Sequence, residues 1–132
     1  MPSLDTNVLV RWLVHDDDEQ LTGIRTLFER ARRDHTLLFV PSTVMLELEW
    51  VLRSRYGFDK AALLQTLNAL LETRELELQD EAALEWALHL YRHGAADFAD
   101  CLHAGLCGAA GKGPLLTFDE KAARLPGAKL LK

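Results

Sequence analysis

Cysteine, proline and glycine are scarce in this sequence, and no apolar run is long. Cys101 and Cys107 are its two cysteines, and no CxxC pair exists. Six residues apart in a helical pattern, they stand roughly 240° apart around the axis and so point in different directions. A structural zinc site or redox motif therefore has no support, and two free thiols suit a reducing cytoplasm. Eight glycines and four prolines in 132 residues leave little room for long disorder. No stretch approaches the roughly 18 apolar residues of a membrane span. The start, MPSLDTNVLV, lacks the basic-then-apolar order of a signal peptide. A cytoplasmic protein is expected.

Positive charge is also in deficit. Twenty Asp and Glu against 15 Lys and Arg give −5 at pH 7. Proteins that coat nucleic acid draw most of their affinity from phosphate neutralisation and tend to be basic. Net charge alone thus argues against a nucleic-acid partner.

Hydrophobic residues make up 48% of the chain, enough for a core at this length. No repeat, linker or low-complexity segment is evident, so residues 1–132 read as one domain. Short apolar runs at residues 2–5, 36–40, 76–78, 115–118 and 128–131 read as strands. Between them lie helical patterns at 7–14, 21–33, 42–55, 59–71, 80–93, 97–110 and 119–125, with Ser42 or Thr43, Asp59 and Asp80 as caps. Asp16, Asp17, Asp18 and Glu19 read as a solvated turn and helix start. Short apolar strands separated by helices indicate an α/β fold with a central parallel sheet of about five strands, flanked by helices on both faces. Ligands of such sheets bind at the carboxyl ends of the strands.

That rule sorts the acids. Asp5 ends the first strand and Asp119 follows the fourth, so a parallel sheet brings both to one edge. Each also suits a helix N-cap. Glu47 and Glu49 flank the apolar stripe Val44, Met45, Leu48, Val51 and Leu52, on opposite sides. Pairing separates them. Glu49 has Arg53 at i+4, which makes a surface ion pair, whereas Glu47 has no cation one turn away. A carboxylate among apolar neighbours is costly without compensation; the alternative is an ordinary exposed Glu. In ADFADCLHAGLCGAAG, Asp97 and Asp100 share a helix face beside the stripe Phe98, Cys101, Leu102, Leu106 and Ala109. Asp97 also suits a cap; Asp100 lies beyond the capping position, with His103 its nearest partner. The small residues allow this helix to approach the sheet closely.

If Asp5, Glu47, Asp100 and Asp119 line one pocket, their mutual repulsion raises their pKa values, and divalent cations relieve it. Oxygen-only ligands suit Mg²⁺ or Mn²⁺ over zinc, and one or two such ions serve phosphodiester cleavage. A carboxylate pair also suits glycoside hydrolysis, but aromatics at 8% leave little for a sugar-stacking cleft.

In order and spacing, LDTNVLVRWLVHDD, VMLELEWVLR, ADFADCLHAGL and LLTFDEKAARL resemble the PIN-domain family, in particular the VapC-type toxins of bacterial toxin–antitoxin pairs. The resemblance covers essentially the whole chain. It implies a Mg²⁺- or Mn²⁺-dependent ribonuclease whose site acids fall on Asp5, Glu47, Asp100 and Asp119, with Asp97 a further acid. Thr6 and Asn7 match the polar pair after the first Asp, and Thr117 the hydroxyl before the last. The implied reaction is hydrolysis, leaving 5′-phosphate and 3′-hydroxyl ends. Arg11 and Lys121 are candidate phosphate contacts, and Arg25, Arg30, Arg32 and Arg33 a candidate basic face; each also reads as solvated surface. His15, His35, His89 and His93 read as surface. The implied partners are RNA, a cognate antitoxin and a second copy of the chain, with no membrane. Trp12, Trp50 and Trp86 are candidate anchors for the protein partners, with at least one expected in the core. Two other readings stay open: a non-catalytic PIN-like binding or assembly module, and a PIN nuclease in RNA maturation without a toxin role.

Overall fold

Seven helices alternate with four strands of three residues each, an α/β fold. The computed structural model describes residues 1–132, which pack as two compact units, Met1–Gln79 and Asp80–Lys132.

The first unit holds α1 (Thr6–Val14), α2 (Asp18–Arg33), β1 (Leu38–Val40), α3 (Ser42–Tyr56), α4 (Lys60–Leu71) and β2 (Leu76–Leu78). β1 pairs with β2 in parallel, Leu38 opposite Leu76 and Val40 opposite Leu78. On its other side β1 meets the extended start of the chain through one parallel bridge, Ser3 to Phe39. Proline at position 2 has no N–H to donate, and helix α1 begins at Thr6, so this segment forms no longer ladder. The three extended segments run in one direction. Their carboxyl ends, where Asp5 lies and α3 begins, share one edge.

Helix starts in this unit follow side-chain chemistry. α2 begins at Asp18, three residues before its apolar spacing starts, because the Asp17 carboxylate accepts the Gln20 amide at 3.0 Å. Asp59 accepts the Ala62 amide at 2.8 Å and caps α4 as expected. At α3 the expectation fails: Ser42 lies inside the helix and Pro41 at the N-cap offers no side-chain bond. Instead the Ser42 amide donates to Gln79 Oε1 at 2.9 Å, and the Ser42 hydroxyl to the Gln79 carbonyl at 3.2 Å. A distant glutamine does the work of a local cap. Gly57, at φ 69°, ends α3 in the left-handed conformation that glycine adopts without strain.

The second unit holds α5 (Glu81–His93), α6 (Phe98–Ala109), β3 (Leu115–Thr117), α7 (Glu120–Ala123) and β4 (Ala128–Leu130). β3 and β4 pair in parallel, Leu115 opposite Ala128 and Thr117 opposite Leu130. β3 stops before Phe118, which is exposed, because the Asp119 amide turns back to Thr117 Oγ1 at 3.0 Å. Asp80 takes the N-cap position of α5 in a left-handed conformation and makes no side-chain cap bond. α6 packs chiefly on α5 rather than on strands. Its buried face is Phe98, Cys101, Leu102, Ala104 and Gly105; Leu106 is half-buried and Ala109 exposed. Cys101 and Cys107 form no disulfide.

All five expected extended segments are thus present, with parallel pairing throughout. They form two separate ladders, one in each unit, instead of one five-stranded sheet. None of the three tryptophans is buried, against the expectation of one in the core. Trp50 and Trp86 are exposed, and Trp12 is half-buried, stacked on Phe28 at 4.6 Å between ring centroids.

Candidate functional site

In the first unit Asp5 is exposed at the N-cap of α1, and one carboxylate oxygen accepts the Thr6 amide at 2.7 Å. It therefore serves as a cap while its other oxygen stays available. Thr6 follows with a buried hydroxyl that has no hydrogen-bond partner. A buried donor without an acceptor is costly, so this hydroxyl is a place where an incoming oxygen is favoured. Asn7 is exposed beside a hollow that Arg11 and Gln20 also line.

The two glutamates of α3 are arranged differently from their expected roles. Glu49 is the buried one, at 3% exposure, and Arg53 Nε donates to it at 2.9 Å. Glu47 is exposed, so no desolvation presses it toward a cation. The buried arc of α3 is Met45, Leu48, Glu49, Val51 and Leu52, with Val44 only half-buried. Pairing still separates the two, since Arg53 engages Glu49 and leaves Glu47 free. Arg53→Met should destabilise the fold by about 2 kcal/mol, the usual cost of stranding a buried acceptor. Urea unfolding checks this, and an Arg53→Lys variant should recover part of the loss.

In the second unit three acids lie near one another. Asp97 occupies the N-cap of α6, yet its side chain makes no cap bond. Asp100 sits in the first turn, half-buried. Asp119 caps α7 by accepting the Ala122 amide at 3.0 Å, and Thr117 fixes it from behind by accepting its amide. The Asp100 carboxyl is held above the ordinary aspartate range, first by partial burial and then by the charges of Asp119 and Asp97; His103 opposes this more weakly. Raised carboxyls near like charges are frequent at functional sites.

The candidate phosphate contacts differ. Arg11 is engaged: its Nε donates to Gln20 Oε1 at 2.9 Å, and its Nη1 reaches Asp16 and the Tyr56 hydroxyl, each at 3.3 Å. Tyr56 first, and Asp16 second, hold its pKa above the usual arginine value. Lys121 and Arg124 are exposed, make no ion pair, and line a hollow of about 390 Å³ with Asp97 and Asp119. Of the proposed basic face on α2, Arg32 is paired with Glu75 at 3.0 Å. Sequence reasoning missed Tyr56 and Gln79, whose partners are distant in the chain, and Arg124, which lines the hollow. His89 and His93 are at the surface as expected, and with Trp86 they are spaced along one helix face.

In the second unit Asp97, Asp100 and Asp119 offer oxygen-only donors, a chemistry that suits a hard divalent cation. No three Asp, Glu, His or Cys side chains are drawn together as a closed ligand set.

The PIN domain model matches residues 3–128, across both units. The chain is also similar to the "VapC ribonuclease" of Aquifex aeolicus (strain VF5), 28% identical over 102 residues, which span 77% of this chain and 75% of that protein. With its α/β architecture and its acids at strand ends, the chain belongs to the PIN domain family.

Proposed function

We propose that this chain is a divalent-metal-dependent endoribonuclease, the toxin of a toxin–antitoxin pair. The observation that carries the reading is the gathering of Asp97 and Asp119 about the half-buried Asp100, whose carboxyl is raised first by burial and then by those two charges. The similarity to a protein named VapC ribonuclease points the same way. In this reading residues 1–132 act as one PIN domain. Asp5, Glu47, Asp100 and Asp119 hold one or two Mg²⁺ or Mn²⁺ ions, with Asp97 assisting.

A bound ion of this kind supplies Lewis-acid chemistry, lowering the pKa of water and offsetting phosphate charge. Thr117 holds Asp119 in place through its amide. The Thr6 hydroxyl donates to a substrate or solvent oxygen. Lys121 contacts a phosphate; Arg11 is partly neutralised by Asp16 and is the weaker contact. The RNA products carry 5′-phosphate and 3′-hydroxyl ends. A cognate antitoxin covers the acids, the active form is a dimer, and the protein works in the cytoplasm. No helix is long and apolar enough to cross a membrane.

Purified protein incubated with a structured RNA mixture should cleave it with Mg²⁺ or Mn²⁺ and not with chelator. Asp5→Asn should reduce cleavage by about 100-fold, from the loss of a charged ligand worth several kcal/mol. Undiminished cleavage by Asp5→Asn would remove Asp5 from the site. A wild-type protein that cleaves no RNA would favour the non-catalytic module.

A further inference from the structure

Beside the acidic hollow of the second unit lies a cleft of about 500 Å³ that nothing above uses. One wall is the exposed face of α5. Trp86 stacks on His89 at 5.2 Å with planes 16° apart, and His89 meets His93 at 4.6 Å. All three rings are exposed. The other wall carries Lys121 and Arg124, and these same two side chains also line the hollow of Asp97 and Asp119. The path therefore runs from carboxylates, past two unpaired cations, to a row of aromatic rings.

We propose that this cleft binds the single-stranded RNA flanking the cleaved bond, its bases stacking on Trp86 and His89 and its phosphates meeting Lys121 and Arg124. The inference rests on the ribonuclease reading for the identity of the strand. The stacked pair Trp86 and His89, with His93 tilted 53° beyond it, offers flat ring surface to the π-faces of bases, which any sequence presents. Cations on the facing wall match the backbone that links those bases. In a chain with net charge −5, such a local pair is what holds a polyanion. A peptide partner is the poorer fit, since an apolar anchor has no need of a stacked Trp–His pair with cations opposite.

The test is fluorescence anisotropy with a fluorescein-labelled 12-nucleotide single-stranded RNA in EDTA, where binding is read without hydrolysis. Trp86→Ala should weaken binding by about 10-fold, the usual effect of removing one stacking platform, and Trp86→Phe should keep most of the affinity. Lys121→Ala and Arg124→Ala should each lower the salt dependence by about one ion. Trp50→Ala, which alters an exposed tryptophan of the other unit, should bind as wild type. Equal affinity in Trp86→Ala and wild type overturns the proposal, as does a wild type that cleaves RNA yet binds none in EDTA. If Trp86→Ala binds RNA normally but changes the oligomeric mass in light scattering, the cleft is a self-association surface and the proposal falls. Trp86-dependent binding without cleavage under any metal overturns the ribonuclease reading and leaves the cleft standing. The substituted residues are exposed, so a matching circular dichroism melt for each variant confirms that the fold is intact.

Discussion

Asp100→Asn is expected to lower metal-dependent RNA cleavage by about 100-fold or more while raising the melting temperature at pH 7. The activity loss follows from removing a charged ligand, worth several kcal/mol, at about 1.4 kcal/mol per factor of ten. The stability gain follows from the opposite side of the same charge. Burial and the neighbouring Asp119 and Asp97 hold the Asp100 carboxyl above its ordinary range. The folded chain thus binds this proton more tightly than the unfolded chain does. Its stabilising share is complete below the ordinary aspartate value of about 3.9 and is lost as pH rises through the raised value. Asparagine has no charge to bury, so the variant gains at neutral pH and gains nothing in acid. Added Mg²⁺ should raise the melting temperature of the wild type by linkage and raise that of the variant less. Parallel melts at pH 3 and pH 7, with and without Mg²⁺, together with a single-turnover cleavage assay, read all of this. A variant less stable than wild type at pH 7, or one that cleaves normally, would sink the assignment.

The elements were legible in the sequence because apolar periodicity and capping acids are local. Asp17, Asp59 and Asp119 each accept an amide three residues on, and Gly57 ends α3 where the pattern breaks. What the pattern hid was non-local. Ser42 looks like a cap, yet Gln79, 37 residues away, completes the start of α3. Arg11 looks like a free phosphate contact, yet Tyr56 and Asp16 engage it. The helix wheel placed Glu47 and Glu49 symmetrically, whereas the packed helix buries Glu49 and leaves Val44 half-exposed. Four of the five expected strands form and the segment at residues 2–5 makes one bridge; the division into two ladders depends on which backbone groups pair. Of the candidate site, the sequence grouped Asp5, Glu47, Asp100 and Asp119; Asp100 and Asp119 do lie near each other, with Asp97 beside them. Net charge is a coarse guide for a physical reason: it averages over the chain, whereas a polyanion would meet only local groups such as Lys121 and Arg124.

Gly105→Ala is expected to destabilise the second unit by about 2 kcal/mol, and Gly108→Ala to stabilise it slightly. Both glycines lie in α6, where alanine is the better helix former by up to about 1 kcal/mol. At Gly105 that gain is overridden. A Cβ there would stand 2.6 Å from the Ala83 carbonyl oxygen of α5, closer than real Cβ contacts allow. The obstacle is backbone, so no side chain can rotate aside; α6 must move off α5, and overpacking of this kind costs about 1–3 kcal/mol or more. Nothing lies within 4 Å of the corresponding position at Gly108, so the propensity gain stands there, reduced by its place near the helix end to about 0.5 kcal/mol. The movement also matters for chemistry. Asp100 is carried by α6, and Trp86 and His89 by α5, so a shift between these helices disturbs the carboxylate trio and the aromatic wall together. Urea unfolding should therefore shift in opposite directions for the two variants, and Gly105→Ala should lose RNA cleavage beyond its loss of folded fraction. Equal stability of Gly105→Ala and Gly108→Ala would mean that α5 and α6 are not held at this close approach in solution.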